Sequence, residues 1–159
     1  MDEYWSDFAG RLARTLGELA ERSVLTIAWA SVPTIYLQFA QDEEGLTVRT
    51  GAEDVAGSAQ LGELSALGWE SPETDPLGRR TWHTALGWPA RSGDYDRLAQ
   101  LCVRTLTDAH GVPSPDELEY RAHREGEEPP EDVVLYEEDL EQAEPHLVLD
   151  RLGITDANG

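Results

Sequence analysis

The amino-acid sequence predicts an α+β domain, in which helices pack on one face of an antiparallel sheet and the elements follow the order α-β-β-β-α-β-α. Three patterns support this fold class: helically spaced apolar residues at the start, alternating apolar residues in the segments that follow, and a long amphipathic helix in the second half. An acidic extension comes after this domain. We expect residues 1–124 to form the α+β domain and residues 125–159 to form an acidic linker and tail.

The first predicted helix carries a single apolar stripe. Its members recur at spacings of three and four residues and are Trp5, Phe8, Leu12, Leu16 and Leu19. Asp2 and Glu3 at the start of this helix, and Arg22 near its end, complement the helix dipole. We therefore expect the stripe to face the sheet.

Three strands of an antiparallel meander are predicted next. Their alternating apolar residues are Leu25, Ile27 and Trp29 in the first strand, Ile35, Leu37 and Phe39 in the second, and Leu46 and Val48 in the third. Residues 31–34, which include Pro33, are expected to form the first turn. Residues 42–45 are expected to form the second turn, where Gly45 supplies a left-handed conformation.

A short helix and one strand are predicted before the longest helix. Ser58 is expected to cap a helix that runs to Leu67. Residues 69–78 contain two prolines and are expected to form an exposed loop. Residues 81–86 alternate again, which predicts a strand.

The longest predicted helix begins at Ser92, its expected cap. Its buried stripe comprises Tyr95, Leu98, Cys102, Leu106 and Ala109. Gly111 is expected to end this helix. Ser114 then begins a capping box, which predicts a further short helix with Leu118 and Ala122.

The chain is strongly acidic. It has 32 acidic side chains against 12 basic ones, all of them Arg, for a formal net charge of -20. Residues 125–159 hold 12 of the acids and one base, Arg151. Short apolar islands at residues 133–136 and 147–149 interrupt these acids. The composition favours a mostly disordered tail, and the alternative is that the islands dock on the domain or meet a partner.

Composition also bounds the compartment and the partners. An acidic surface repels nucleic acid and anionic lipid, so we expect neither as a partner. The uncharged run at residues 23–41 approaches the length of a membrane span, but Pro33 and the alternation of its apolar residues argue against one. The helix ahead of this run starts acidic, unlike a secretory leader. With a single cysteine, Cys102, the chain is expected to be cytoplasmic.

No pattern in the sequence indicates catalysis, a metal site or a cofactor. No two histidines have the i, i+4 spacing of a helical metal site, and the lack of Lys excludes a phosphate-binding P-loop. Cys102 is expected to pack in the core, because it lies within the apolar stripe of the longest helix. His83 is expected on the solvated side of its strand, and His110 is expected to complement a helix end as a cation.

Five tryptophans divide between core packing and partner contact. Trp5, Trp29 and Trp82 lie on predicted core faces and are expected to be structural. Trp69 and Trp88 flank loops, where an aromatic side chain can anchor a partner or plug the end of the sheet. The sequence leaves both alternatives open for these two residues.

The order of elements over residues 1–124 resembles the type III secretion chaperone-like and YbjN-like peptide-binding domains. The segments that carry the likeness are Trp5-x-x-Phe8-Ala9-x-x-Leu12-Ala13, Tyr36-x-Gln38-Phe39-Ala40, Leu64-x-x-Leu67-Gly68-Trp69-x-x-x-Pro72 and Pro115-x-x-Leu118-x-Tyr120. The resemblance implies helices over one face of a twisted antiparallel sheet, binding of segments of other proteins, no cofactor and, often, a dimer. Secretion chaperones usually show two strands between the later helices, where this sequence predicts one.

The leading functional hypothesis is a non-enzymatic, chaperone-like or adaptor-like module that binds another protein or a peptide. The candidate contact residues are Tyr36, Gln38, Arg49 and His83 on the outward sheet face, together with Trp69 and Trp88. For the first four, the alternative is an ordinary solvated sheet face. A second hypothesis is an acidic inhibitor or immunity-type protein that blocks a basic partner through its charge. A third is an enzyme of unrecognised type, which requires a deep pocket with converging titratable groups.

Overall fold

The helices and strands are those of a computed structural model, which describes residues 3–51, 66–74, 80–87, 90–126 and 143–157. The helices are α1 (Glu3–Glu18) and α2 (Ser92–Arg104). The strands are β1 (Ser23–Trp29), β2 (Val32–Gln41), β3 (Gly45–Gly51), β4 (Glu70–Thr74), β5 (Arg80–Gly87), β6 (Leu118–Arg124) and β7 (Thr155–Asp156). A π-helical turn (Thr105–Ala109) extends α2, and 3-10 turns occupy Pro115–Glu117 and Asp150–Leu152.

The described strands form one mixed sheet in the order β4-β5-β3-β2-β1-β6-β7. All neighbouring strands are antiparallel except β6 and β7, which are parallel. Strand β1 lies near the middle because it pairs with β2 on one side and with β6 on the other. The predicted α+β class is confirmed.

The core lies between one face of this sheet and the two helices. Four of the five predicted members of the α1 stripe are buried, and the fifth, Leu19, is partly buried just beyond the end of the helix. Every predicted member of the stripe that runs through α2 and the π-helical turn is buried. On the sheet, Leu25, Ile27, Leu37 and Phe39 are completely buried, whereas their neighbours in sequence are half-exposed. The alternation therefore correctly identifies the inward face of each strand of the meander.

The turn between β1 and β2 is shorter than predicted. It consists of Ala30 and Ser31, and Val32 already belongs to β2. The register jumps at this point, because Trp29 pairs with Val32 while Ala28 pairs with Tyr36. The prediction that Pro33 lies in the turn is therefore wrong. Proline is tolerated in this strand because the bulge leaves it opposite no ladder partner.

The turn between β2 and β3 is confirmed, and it depends on Gly45. The Oδ1 atom of Asp42 accepts hydrogen bonds from the backbone N–H groups of Glu44 and Gly45, at 2.8 and 3.0 Å. Gly45 has a φ of 151°, and a Cβ atom at this position would lie 2.3 Å from the carbonyl oxygen of Leu86. Only glycine fits this crossing of β3 and β5.

Two strands, not one, lie between the short helix region and α2. The segment predicted as an exposed loop contains β4, which pairs with β5. Its register is irregular between Glu70 and Glu73, so Pro72 sits where no regular ladder donor is needed. The predicted helix from Ser58 lies outside the described residues, except that Ala66 and Leu67 are helical.

The boundaries of α2 correct one predicted cap. Arg91, not Ser92, is the N-cap residue, and its backbone N–H donates to Oδ2 of Asp94 at 2.9 Å. The helix widens into the π-helical turn before it ends. Gly111, with a φ of 75°, supplies the predicted stop.

The segment after Ser114 forms a strand, so the predicted short helix is wrong. Ser114 does act as a cap, because its Oγ accepts a hydrogen bond from the N–H of Asp116 at 3.3 Å, but the turn that it caps is one 3-10 turn. Every second residue from Leu118 to Ala122 is buried. This period of two builds β6 against β1.

Residues 143–157 pack on the domain. Leu152 is 1% exposed, and β7 extends the sheet beyond β6. The expectation of a mostly disordered tail is therefore wrong for this segment, and the alternative of docking applies to the island at residues 147–149. The island at residues 133–136 lies outside the described residues.

Candidate functional site

The outward face of the sheet carries a row of polar side chains that runs across the strands. Backbone pairing aligns Thr26 with Gln38, Gln38 with Arg49, and Arg49 with His83. The row extends to Arg121 of β6 at one end and to Glu70 of β4 at the other. Residues paired directly across strands point to the same side of a sheet. Three of the sequence-predicted contact residues, Gln38, Arg49 and His83, are therefore neighbours, and we call these six residues the polar row.

The sequence analysis missed three members of the polar row: Thr26, Arg121 and Glu70. Glu70 had no usable signal, because its segment was predicted as an exposed loop. Thr26 alternates with the buried Leu25 and Ile27, so the period of β1 was a usable signal for its outward orientation. Arg121 had no such signal, because its segment was predicted as a helix. Its position follows from the pairing of β6 with β1.

Polar contacts hold parts of the row in place. The Nε2 atom of His83 lies 2.9 Å from Oε2 of Glu70, and the His83 side chain is only 20% exposed. The amide of Gln38 donates to the hydroxyl of Thr26 at 3.4 Å, which is a long hydrogen bond. His83 thus has a carboxylate contact, where the sequence predicted a solvated side chain.

Arg49 differs from its neighbours in the row. Its side chain is half-buried, and it forms no hydrogen bond or ion pair with any other residue of the described ranges. The chain contains 32 acidic side chains, so it is unusual that none in the described ranges pairs with an arginine at the centre of a sheet face. A guanidinium in this position presents donors suited to a carboxylate.

Tyr36 lies on the same face, one step along β2 from the polar row, and its backbone anchors a buried network. The hydroxyl of Thr50 donates to the carbonyl oxygen of Tyr36 at 2.9 Å. That hydroxyl lies 3.1 Å from Nε2 of His110, so it accepts a hydrogen bond from this ring nitrogen. The arrangement assigns the proton of the neutral ring to Nε2.

Burial determines the charge of His110. The side chain is 5% exposed, and desolvation lowers its pKa from 6.5 to about 4. It is therefore neutral at pH 7, and the expected cation at the helix end is wrong. The π-helical turn places this residue, because the N–H of His110 bonds to the carbonyl oxygen of Thr105 at 3.0 Å.

The two loop-flanking tryptophans have different outcomes. Trp69 is 4% exposed and lies in the core, where its Nε1 donates to Oγ1 of Thr105 at 2.8 Å. The indole of Trp69 is therefore a packed part of the core. Trp88 lies outside the described residues.

Two candidate nucleophiles among the described side chains are buried: the hydroxyl of Thr50, which contacts His110, and the thiol of Cys102. Cys102 is completely buried in the stripe of α2, and burial raises the pKa of its thiol, so no thiolate forms near neutral pH. An open cavity of about 420 Å³ lies between Trp5 and the end of α2. Its ionisable lining among the described residues is Arg104 and Asp108, an exposed pair 3.7 Å apart.

None of the helices in the described part of the chain combines the length and hydropathy that a membrane span requires. No group of three or more His, Cys, Asp or Glu side chains within the described ranges is arranged to hold a metal ion.

Comparison with known proteins identifies the family of this chain. The family model described as T3SS (YopN, CesT) and YbjN peptide-binding chaperone 3 matches residues 1–124. No curated protein and no solved structure gave a significant match. The match points to a non-enzymatic, peptide-binding protein and gives no support to the hypothesis of an acidic inhibitor. The resemblance inferred from the sequence is confirmed, and the chain belongs to this family of type III secretion and YbjN peptide-binding chaperones.

Proposed function

We propose that this protein is a non-enzymatic, chaperone-like module that holds an extended segment of another protein against the polar row of its sheet. Membership of a peptide-binding family supports the activity. The observation that carries the location is Arg49, a half-buried arginine at the centre of the row that has no acidic partner among the described residues. A carboxylate of the bound segment supplies that partner.

The row has the dimensions of a short peptide. It crosses six strands, and neighbouring strands lie about 4.8 Å apart, so it is about 24 Å long. An extended segment covers this distance with about seven residues. Small outward residues flank the row, including Ala28, Ala40, Thr47 and Ala85. They leave room for a peptide backbone to approach the sheet.

The charge of the row favours an acidic segment. Arg49 and Arg121 are two of only 12 basic residues in the chain, and both lie on this face. The chain as a whole has 32 acidic side chains, and their negative charge repels an acidic ligand from surfaces that lack an arginine. We expect the bound segments to carry at least one Asp, Glu or terminal carboxylate.

A selection from a random peptide library, followed by affinity measurement, tests the proposal. Arg49→Glu is expected to weaken binding of the selected peptides at least tenfold, because it replaces attraction by repulsion at the centre of the row. Arg14→Glu is the matched control: it makes the same change of charge on the exposed side of α1, and it should leave affinity within twofold. Failure to select any peptide, or equal binding by both variants, would count against the proposal.

The natural partner requires a separate experiment. Affinity purification of the tagged chain from its native cells, with Arg49→Glu as the reference, identifies proteins whose capture depends on the row. Cytoplasmic location and dimer formation remain predictions, and fractionation and light scattering test them.

A further inference from the structure

Residues 143–157 cover the edge of β6 that does not pair with β1, and we call this segment the C-terminal hook. The backbone groups of Glu144 and Arg124 exchange two hydrogen bonds of 2.8 Å each. The N–H of Leu147 donates to the carbonyl oxygen of Ala122 at 2.8 Å, and the N–H of Ala157 donates to that of Tyr120 at the same distance. The hook therefore satisfies the outer edge of the strand by main-chain bonding.

Apolar side chains attach the hook to the domain. Leu152 is 1% exposed and belongs to the core, and the 3-10 turn that contains it contacts α1. Leu147, Leu149 and Ile154 are partly buried against the same core. Val148, between the two leucines, is 59% exposed. The contacting residues follow the pattern Leu-x-Leu-x-x-Leu-x-Ile.

Polar side chains at the boundary between the hook and the domain contribute little to holding the hook. The guanidinium of Arg11 donates to the carbonyl oxygen of Arg151 at 3.3 Å, and Arg151 forms an ion pair with Glu18. Arg124 and Glu144 approach to 4.0 Å through their side chains. Arg151 and Glu18 are largely exposed, and the Arg124 pair is at the 4.0 Å limit of an ion pair, so both pairs contribute weakly. Main-chain bonding and the leucines hold the hook.

We propose that the hook is the resident occupant of a second peptide-binding surface, formed by the edge of β6 and α1. The external ligand is a segment of another protein with apolar residues in the hook's own pattern. Main-chain bonding to a strand edge, with alternating apolar contacts, is a common mode of peptide recognition. The family match ends at residue 124, the last residue of β6, so the family's domain includes this edge but not the hook.

The hook competes with an external segment for the edge of β6, and its covalent attachment favours the hook. Residues 127–142 connect the hook to β6, and a covalent connection raises the effective concentration of the hook at this edge above that of a separate peptide. An external segment must therefore bind well, or the hook must be weakened, before exchange occurs. This surface is the sheet edge rather than the polar row, so the inference does not depend on the function proposed above.

Binding of a synthetic peptide of residues 143–157 to the full-length protein tests the inference. With a fluorescent label on the peptide, Leu152→Ala in the protein is expected to raise peptide affinity at least tenfold, because the weakened hook leaves the edge open. Val148→Ala is the matched control, since it truncates an exposed side chain of the same segment, and should leave affinity unchanged. Equal affinity for wild-type and both variants would overturn the proposal.

Amide hydrogen exchange supplies a readout that does not rely on a variant. Excess unlabelled peptide added to the wild-type, 15N-labelled protein is expected to accelerate exchange at Glu144 and Leu147 of the hook. The amides of Leu25 and Ile27 in β1 should stay protected, which shows that the fold is intact. If the amide exchange rates of the hook do not change at saturating peptide, the peptide does not displace the hook and the proposal is overturned. Light scattering could instead reveal dimers in which each hook covers the β6 edge of the other copy. Such dimers, without peptide binding, also overturn the proposal and assign the edge to a second copy.

Discussion

At the residue scale, His110 shows how burial converts a titratable group into a structural one. Its Nε2–H bonds to Thr50, and desolvation lowers its pKa from 6.5 to about 4. Between these two values the unfolded chain takes up a proton that the folded chain does not. The free energy of unfolding therefore falls as the pH decreases from about 6.5 to about 4, and this loss levels off below the folded pKa.

The pH dependence gives a first prediction. Between pH 7 and pH 5 the His110 contribution should fall by about 2 kcal/mol. His110→Gln removes the titrating ring and should flatten this part of the profile, as measured by urea unfolding at a series of pH values. His123→Gln, on the opposite face of the sheet, is the control and should keep the wild-type slope. If the two variants show the same profile, His110 is not the buried titrating group.

Trp69 gives a second prediction at this scale. Trp69→Phe removes the hydrogen bond to Thr105 and leaves a gap in the core, so we expect unfolding free energy to fall by about 2 kcal/mol. Trp29→Phe is the comparison, because Trp29 also donates a 2.8 Å hydrogen bond, to Glu117, but is only half-buried. Its cost should be about 1 kcal/mol. Chemical denaturation of the two variants measures both, and a reversed order would contradict the assignment of Trp69 to the core.

At the element scale, the crossing of β3 and β5 depends on the absence of a side chain at Gly45. Gly45→Ala places a Cβ atom against the carbonyl of Leu86 and strains a φ of 151°, so we predict a loss of about 2 kcal/mol or more. Gly87→Ala, the residue paired with it, meets no atom within 4 Å and should cost less than about 1 kcal/mol. Thermal unfolding distinguishes the two. Equal losses would show that close approach is not the reason for glycine here.

The elements also show which sequence signals predict structure well. Long apolar periodicities identified α1, the meander and α2, because burying such a stripe stabilises only one type of element. Local cap and breaker signals were less reliable. The cap at Ser114 serves one 3-10 turn, and the alternation after it determines β6. Pro72 of the predicted loop does not prevent β4, since an edge strand with irregular register tolerates a missing donor.

The candidate site was predictable only in part for the same reason. Gln38, Arg49 and His83 could be placed on one face from the period of their own strands. Their alignment in a row requires the register between strands, which side-chain patterns in one strand do not determine. Arg121 was missed, and docking of the island at residues 147–149 was only an alternative, because both positions depend on pairing with β1 and β6, far away in sequence.

At the scale of the whole molecule, a net charge of -20 opposes compaction. Salt screens this repulsion, with a screening length of about 10 Å at 0.1 M. Exposed ion pairs, such as Arg11 with Asp7, contribute little to stability, so screening them costs little. We predict that raising NaCl from 10 to 300 mM increases the unfolding free energy by about 1 kcal/mol, or about 3 °C in midpoint. KCl should act equally, and a falling midpoint in either salt would contradict dominance of self-repulsion.

The pairing of β1 with β6 has a consequence for how the protein is made. β2 reaches β1 through a two-residue turn, whereas β6 pairs with it from Trp29↔Leu118 to Ser23↔Arg124. Until Leu118 and the rest of β6 have emerged from the ribosome, one edge of β1 has no pairing strand. Leu25 and Ile27 are then incompletely covered. Such intermediates are prone to aggregate. The high contact order of this pairing also places folding among the slower topologies, so this member of a chaperone family is itself prone to aggregate during synthesis.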